Sequence, residues 1–135
     1  MDFLKTLSVA ASGLKAQSGR MRVIAENIAN ADSTGERPGA DPYRRKVATF
    51  SRRFDRELEA NVVELGRVRA DRSDFKVKYE PGNPAADERG EVKLPNVNNL
   101  VESMDMREAQ RSYEANLNLI AATRRMISRT LEILR

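Results

Sequence analysis

Heptad spacing governs both ends of this chain and is absent from its middle. Near the N-terminus, Phe3, Leu7, Ala10, Leu14, Gln17, Met21, Ile24, Ile28 and Ala31 alternate steps of four and three. Only Gln17 interrupts the apolar run. Near the C-terminus, Tyr113, Leu117, Ile120, Arg124, Ile127, Leu131 and Leu134 repeat the spacing, with Arg124 alone out of character. Such a period lays one apolar seam along a helix, and the seam needs another helix to cover it. Two seamed helices in one short chain most simply cover each other. The expected fold is mainly α with a small β insert. Its long N- and C-terminal helices pair as a coiled coil, and short strands and loops lie between them.

The first helix is expected over residues 2–30, with Asp2 as its cap. Its second face is small: Ala10, Ala11, Ser12, Gly13, Ala16, Ser18 and Gly19. Each glycine costs a helix interior roughly 1 kcal/mol relative to alanine. Small residues allow a neighbouring backbone to come close, so more than one face of this helix should be covered. The second helix is expected over residues 98–134. Asn98 or Asn99 can cap it, and Asn99 with Glu102 has capping-box spacing.

The domain reading follows from these helices. Residues 1–30 and 98–135 form a discontinuous terminal coiled-coil domain, and residues 31–97 form a linker and a small β element. Residues 31–42 are rich in turn formers and hold two prolines. Residues 43–50 read as a strand. Phe54, Leu58 and Val62 recur every four residues, which favours a short helix within 51–65. Phe75, Val77 and Tyr79 alternate with Lys76 and Lys78, as in a half-buried strand. Glu91–Leu94 is a short strand ended by Pro95.

Composition removes several functions. The chain has 135 residues and lacks both Cys and His. Disulfides, thiolate metal sites and histidine acid–base chemistry are therefore excluded. No Gly-rich phosphate loop follows a strand, and no serine has a plausible base. No catalytic residue, cofactor or metal is expected, and the chain does not read as an enzyme. No apolar run is long enough to cross a membrane. The first residues, with Asp2, Lys5, Ser8 and Ser12, make a poor secretory signal. The net charge is +4, from 24 basic and 20 acidic residues. The basic run Arg44, Arg45, Lys46, Arg52, Arg53 and Arg56, interleaved with Tyr43, Phe50 and Phe54, is the best nucleic-acid signal. A basic coiled-coil nucleic-acid-associated protein is therefore the alternative reading. Ion pairing explains the run better.

Three stretches resemble a known family. ASGLKAQ at 11–17, RMRVIAENIANADSTG at 20–35 and NVNNLVESMDMREAQRSYEAN at 96–116 are similar to the paired terminal motifs of flagellar axial proteins. PYRRKVATF at 42–50 and YEPGNPAADERGEVKLPNVN at 79–98 narrow the resemblance to the short proximal-rod members of the flagellar basal-body rod protein family. Two positions depart from that pattern: Asn83 stands where His is common, and Glu91 where Tyr is usual.

The resemblance implies a structural subunit of the bacterial flagellar rod, a tube that spans the periplasm and transmits torque. It implies assembly with other copies and with other rod proteins. It also implies export by the flagellar type III apparatus without a cleaved signal peptide, no direct membrane insertion and no nucleic-acid partner. The expected assembly residues on the first helix are Leu7, Leu14, Gln17, Met21, Ile24, Asn27, Ile28 and Asn30. On the second they are Tyr113, Asn116, Leu117, Ile120, Ile127, Leu131 and Leu134. Arg44, Arg45, Lys46, Arg52 and Arg53 are candidates for ion pairs between subunits. A lone subunit should keep its helical ends partly disordered until neighbours cover the seams.

Overall fold

The computed structural model describes residues 2–135. Two long helices bracket six short strands. They are α1 (Phe3–Ala29), β1 (Lys46–Val47), β2 (Phe50–Asp55), β3 (Ala60–Leu65), β4 (Arg69–Ala70), β5 (Lys76–Tyr79), β6 (Glu91–Leu94) and α2 (Asn99–Ile133). The strands form three antiparallel pairs, β1–β4, β2–β3 and β5–β6. The chain divides into two compact units. One draws on the chain up to Met21, on Ala48–Arg67 and on Arg107–Arg135; the other on Arg22–Val47 and Val68–Met106.

Both helices start on the expected caps. Asp2 Oδ1 accepts the backbone N–H groups of Leu4 at 3.0 Å and Lys5 at 3.2 Å. Asn98 Oδ1 accepts those of Leu100 at 3.1 Å and Val101 at 3.4 Å. Each oxygen satisfies donors that the first turn leaves without a helical partner. The Asn99–Glu102 capping box does not form, because the Glu102 side chain is fully buried and points elsewhere.

In the first unit, α2 runs antiparallel to α1. Arg20 Nη2 lies 3.4 Å from Glu108 Oε2. Gly13 faces Asn116 so closely that a Cβ on the glycine would sit 3.0 Å from the amide. The covered stripe of α2 runs through Ala109, Tyr113, Asn116, Ile120, Thr123 and Ile127. This keeps the expected heptad frame at three positions, but Asn116 and Thr123 replace Leu117 and Arg124. Leu117, Leu131 and Leu134 are exposed. A search for apolar runs favours leucine; close approach to Gly13 favours the smaller side chains.

The β2–β3 hairpin covers another face of α1, as the small residues there require. Leu65 rests on Gly19. The Val63 N–H donates to Ser12 Oγ at 3.2 Å. Six residue pairs, from Phe50–Leu65 to Asp55–Ala60, make the ladder. The short helix expected within 51–65 is therefore absent. Leu58, the middle member of its apparent period, sits in the turn. There Asp55 Oδ1 accepts the N–H groups of Glu57 and Leu58, and Glu59 takes a left-handed φ of 48°. The β-branched pair Val62–Val63 suits the strand that follows.

In the second unit, β5 forms where expected but is exposed along its whole length. Its register explains this. Lys78 pairs with Val92 and Lys76 with Leu94, so the lysines share the face that buries Val92. Val77 and Tyr79 point the other way. Gly90, at φ 75°, closes the connection, and a side chain there would strike the Tyr79 ring. The two departures from the family pattern are accommodated locally. Asn83 Oδ1 accepts the Ala85 N–H at 2.9 Å and its amide donates to Glu80 Oε2 at 3.2 Å, while Glu91 is an exposed ladder residue opposite Tyr79.

Candidate assembly interface

The expected interface residues divide between covered and open positions. On α1, Ile24 and Asn27 are buried; Leu7, Leu14, Gln17, Met21 and Asn30 are half-buried; Ile28 is exposed. Gly13, Arg20 and Asn27, seven apart, each meet α2, and they lie on a different face from the apolar run of Leu7, Leu14 and Met21. That apolar run is left only half-covered. On α2, Tyr113, Asn116, Ile120 and Ile127 are half-buried, and Leu117, Leu131 and Leu134 are open. Every residue from 128 to 135 is exposed. The apolar ones among them include Leu131, Ile133 and Leu134, exposed by 61%, 84% and 77%. The end of this helix therefore leaves apolar surface facing solvent.

The candidate ion-pairing residues mostly meet partners in their own chain. Arg44 Nη1 donates to the carbonyls of Asp71 at 2.9 Å and Ser73 at 3.0 Å, and its guanidinium lies 4.1 Å over the Phe75 ring. Lys46 Nζ is 3.0 Å from Glu26. Arg53 pairs with Glu64 and, at 3.6 Å, with Asp55. Arg52 is exposed, with no ion pair among the described residues. Much of the basic run is thus neutralised within the chain.

Arg45 anchors an extended, partly buried polar cluster. Its Nε donates to Glu102, whose carboxylate is buried in the second unit. Its Nη1 lies 3.3 Å from Asp71 and its Nη2 3.7 Å from Asp105. Asn27, only 1% exposed, completes the cluster. Its amide nitrogen donates to the Lys46 carbonyl at 2.8 Å and to Glu102 Oε2 at 3.2 Å. Its amide oxygen accepts from the Tyr43 hydroxyl at 2.8 Å and the Lys46 N–H at 2.9 Å. Asn27 thus bonds groups far along the chain, whereas the Asn30 side-chain amide donates locally, to the Glu26 carbonyl one turn back, at 2.8 Å.

The charges respond to this setting. Burial pulls the Arg45 pKa down, but the hydrogen bond and charge of Glu102 outweigh it and hold the guanidinium above its ordinary value. Burial pushes the Tyr43 hydroxyl up. Hydrogen bonds from the Ser73 backbone and side chain hold the Asp71 carboxyl below its ordinary value, with Arg45 adding to the effect. Sequence spacing offers Glu102 only as a capping-box partner of Asn99, because its cation lies 57 residues away.

Among the described residues, no group of three or more acidic residues could hold a metal ion, and no helix is long and apolar enough to cross a membrane.

Comparison with known proteins agrees with this architecture at both ends. A family model described as flagella basal body rod protein matches residues 7–35. A second, described as flagellar basal body rod FlgEFG protein C-terminal, matches residues 88–133. Among curated relatives, the flagellar basal-body rod protein FlgC of Agrobacterium fabrum is 52% identical over 136 residues, covering 100% of this chain and 98% of the relative. The protein of that name from Aquifex aeolicus is 40% identical, covering 98% of this chain and 97% of its own. The one from Escherichia coli O6:H1 is 39% identical, with 98% of each chain covered.

Proposed function

We infer, from the premise that this chain belongs to the flagellar basal-body rod protein family, that it is a structural subunit of the bacterial flagellar rod. The observation that carries the reading is similarity to FlgC proteins along essentially the whole length of both chains. The geometry supports it. A long helix ends in uncovered leucines, and α1 carries an apolar run that its own chain only half covers.

The subunit sits in the proximal rod and packs its helical ends against other copies and other rod proteins to build a tube. Leu7, Leu14, Met21, Leu117, Leu131 and Leu134 supply the apolar contacts between subunits. Each buried methylene contributes roughly 0.8 kcal/mol, so modest seams repeated around a tube resist torque. No bond is made or broken in this role. The subunit travels through the flagellar type III export apparatus. The nucleic-acid reading finds no support, since Arg45, Lys46 and Arg53 face acids of their own chain.

The test is the double substitution Leu131→Asp with Leu134→Asp. Both side chains are open, so the free subunit should melt as the native protein does. Incorporation into isolated basal bodies and swimming should be lost. Normal incorporation would contradict the role given to this helix end.

A further inference from the structure

The packing of α1 on α2 leaves a question of register that apolar and small residues do not answer. Gly13, Arg20 and Asn27 are seven apart on α1. The residues that can receive Gly13 on α2 are also seven apart: Ala109, Asn116 and Thr123, all small and all on the covered stripe. A slip of one heptad would set Gly13 against Ala109 or Thr123 instead of Asn116. Side chains of similar size would still meet, and the contact would survive. Repeats of this kind specify pairing but not which repeat pairs with which.

The polar cluster of the second unit breaks this degeneracy. Asn27 holds both the N–H and the carbonyl of Lys46, so the neighbouring Arg45 travels with α1. Arg45 and Asn27 together hold Glu102 of α2. A slip in either direction carries Glu102 out of reach of both. It would leave a carboxylate buried without a cation, the most costly kind of unpaired group.

We propose that Asn27, Arg45 and Glu102 form a register key: they select one pairing of α1 with α2 from several that packing alone would tolerate. The key contributes specificity more than stability. Replacing a buried ionic cluster with apolar residues of similar volume often leaves stability unchanged or raised, while a polar group at a single seam position is a known way to fix register.

Because the chain has no cysteine, disulfide pairs can report register directly. One turn before Asn27 is Val23, and one turn beyond Glu102 is Met106, so Val23→Cys with Met106→Cys reports the native register. Asn30→Cys with Met106→Cys, and Val23→Cys with Asn99→Cys, report slips of one heptad each way. In the full-length chain with its key intact, the native pair should oxidise at least tenfold faster than either slipped pair. With Asn27→Leu, Arg45→Met and Glu102→Leu combined, helix content should persist, and a slipped pair should oxidise within about threefold of the native one. Retained helix content with the native pair still at least tenfold ahead would overturn the proposal. Should the triple variant lose its helices, Glu102→Gln decides. It keeps the size and the Asn27 contact but loses the charge held by Arg45. A rise in slipped cross-linking supports the key, and an unchanged ratio sinks it.

Discussion

Leu65 of β3 lies directly over Gly19 of α1: a Cβ added to the glycine would stand 2.7 Å from Leu65 Cδ2. The hairpin approaches the helix this closely because the helix presents no side chain there. The approach has a size limit. Alanine at position 19 gains about 1 kcal/mol of helix propensity, and the clashing atom is the tip of a flexible side chain, so Gly19→Ala should change stability little. Gly19→Val should force the hairpin outward and lose about 1–3 kcal/mol, as overpacked sites do. Urea unfolding of both variants checks the pair, and equal midpoints for Val and native protein would refute the close-packing account.

Asn98 is the cap of α2, and nothing else in the first turn takes its place. Glu102, which a capping box would have used, is committed to Arg45 and Asn27. Asn98→Ala should therefore destabilise the chain by about 1 kcal/mol, the usual worth of a capping side chain. Asn98→Asp should be neutral or slightly stabilising, because a negative charge suits a helix N-terminus. Asn99→Ala should have no measurable effect. Thermal melts of the three variants separate a cap at 98 from one at 99.

Asp71 makes part of the stability depend on pH. Its folded pKa is held below the ordinary value of 3.8, chiefly by hydrogen bonds from Ser73. A carboxyl with a depressed folded pKa binds protons more readily when unfolded. Its contribution is therefore fully present above the unfolded pKa and is lost as pH falls through the folded one. Native stability should drop as pH is lowered below about 3.8. Asp71→Asn should flatten that part of the profile and leave the region above pH 5, well clear of the ordinary carboxylate range, unchanged in slope. Denaturant titrations from acid to neutral pH give the comparison.

What was legible in the sequence is what local chemistry dictates. Asp2 and Asn98 were readable as caps because a cap acts on amides two or three residues away. Both long helices were readable from their spacing. The β2–β3 hairpin was not, because Phe54, Leu58 and Val62 happen to recur every four residues and mimic a helix face. The face of α1 that meets α2 was displaced from the expected one for a related reason. Gly13 and Asn116 make close contact without being apolar, so a hydrophobic seam drawn through Leu14 and Leu117 passes beside it. Phe75, Val77 and Tyr79 marked a strand correctly but not its buried side. The β5–β6 register sets that side, and register depends on the partner strand. Glu102 shows the deepest limit. It has capping-box spacing from Asn99, and only the folded chain brings Arg45 to it.

The last turns of α2 offer the sharpest separation between folding and assembly. Residues 128–135 are all exposed, whereas Asn27, Glu102 and Ala109 are almost fully buried within the chain. In the purified subunit, amides near Asn27 and in the first half of α2 should exchange slowly, since opening them breaks buried contacts. Amides of residues 128–133 should exchange quickly, because helix ends with no tertiary cover fray. In isolated basal bodies the second group should gain protection, as neighbouring subunits cover Leu131 and Leu134. The first group should change far less. Rapid exchange at 128–133 in both states would mean that this helix end is not an interface in the rod. Slow exchange there in the free subunit would mean that the helix needs no neighbour to be stable, and the case for folding on assembly would fail with it.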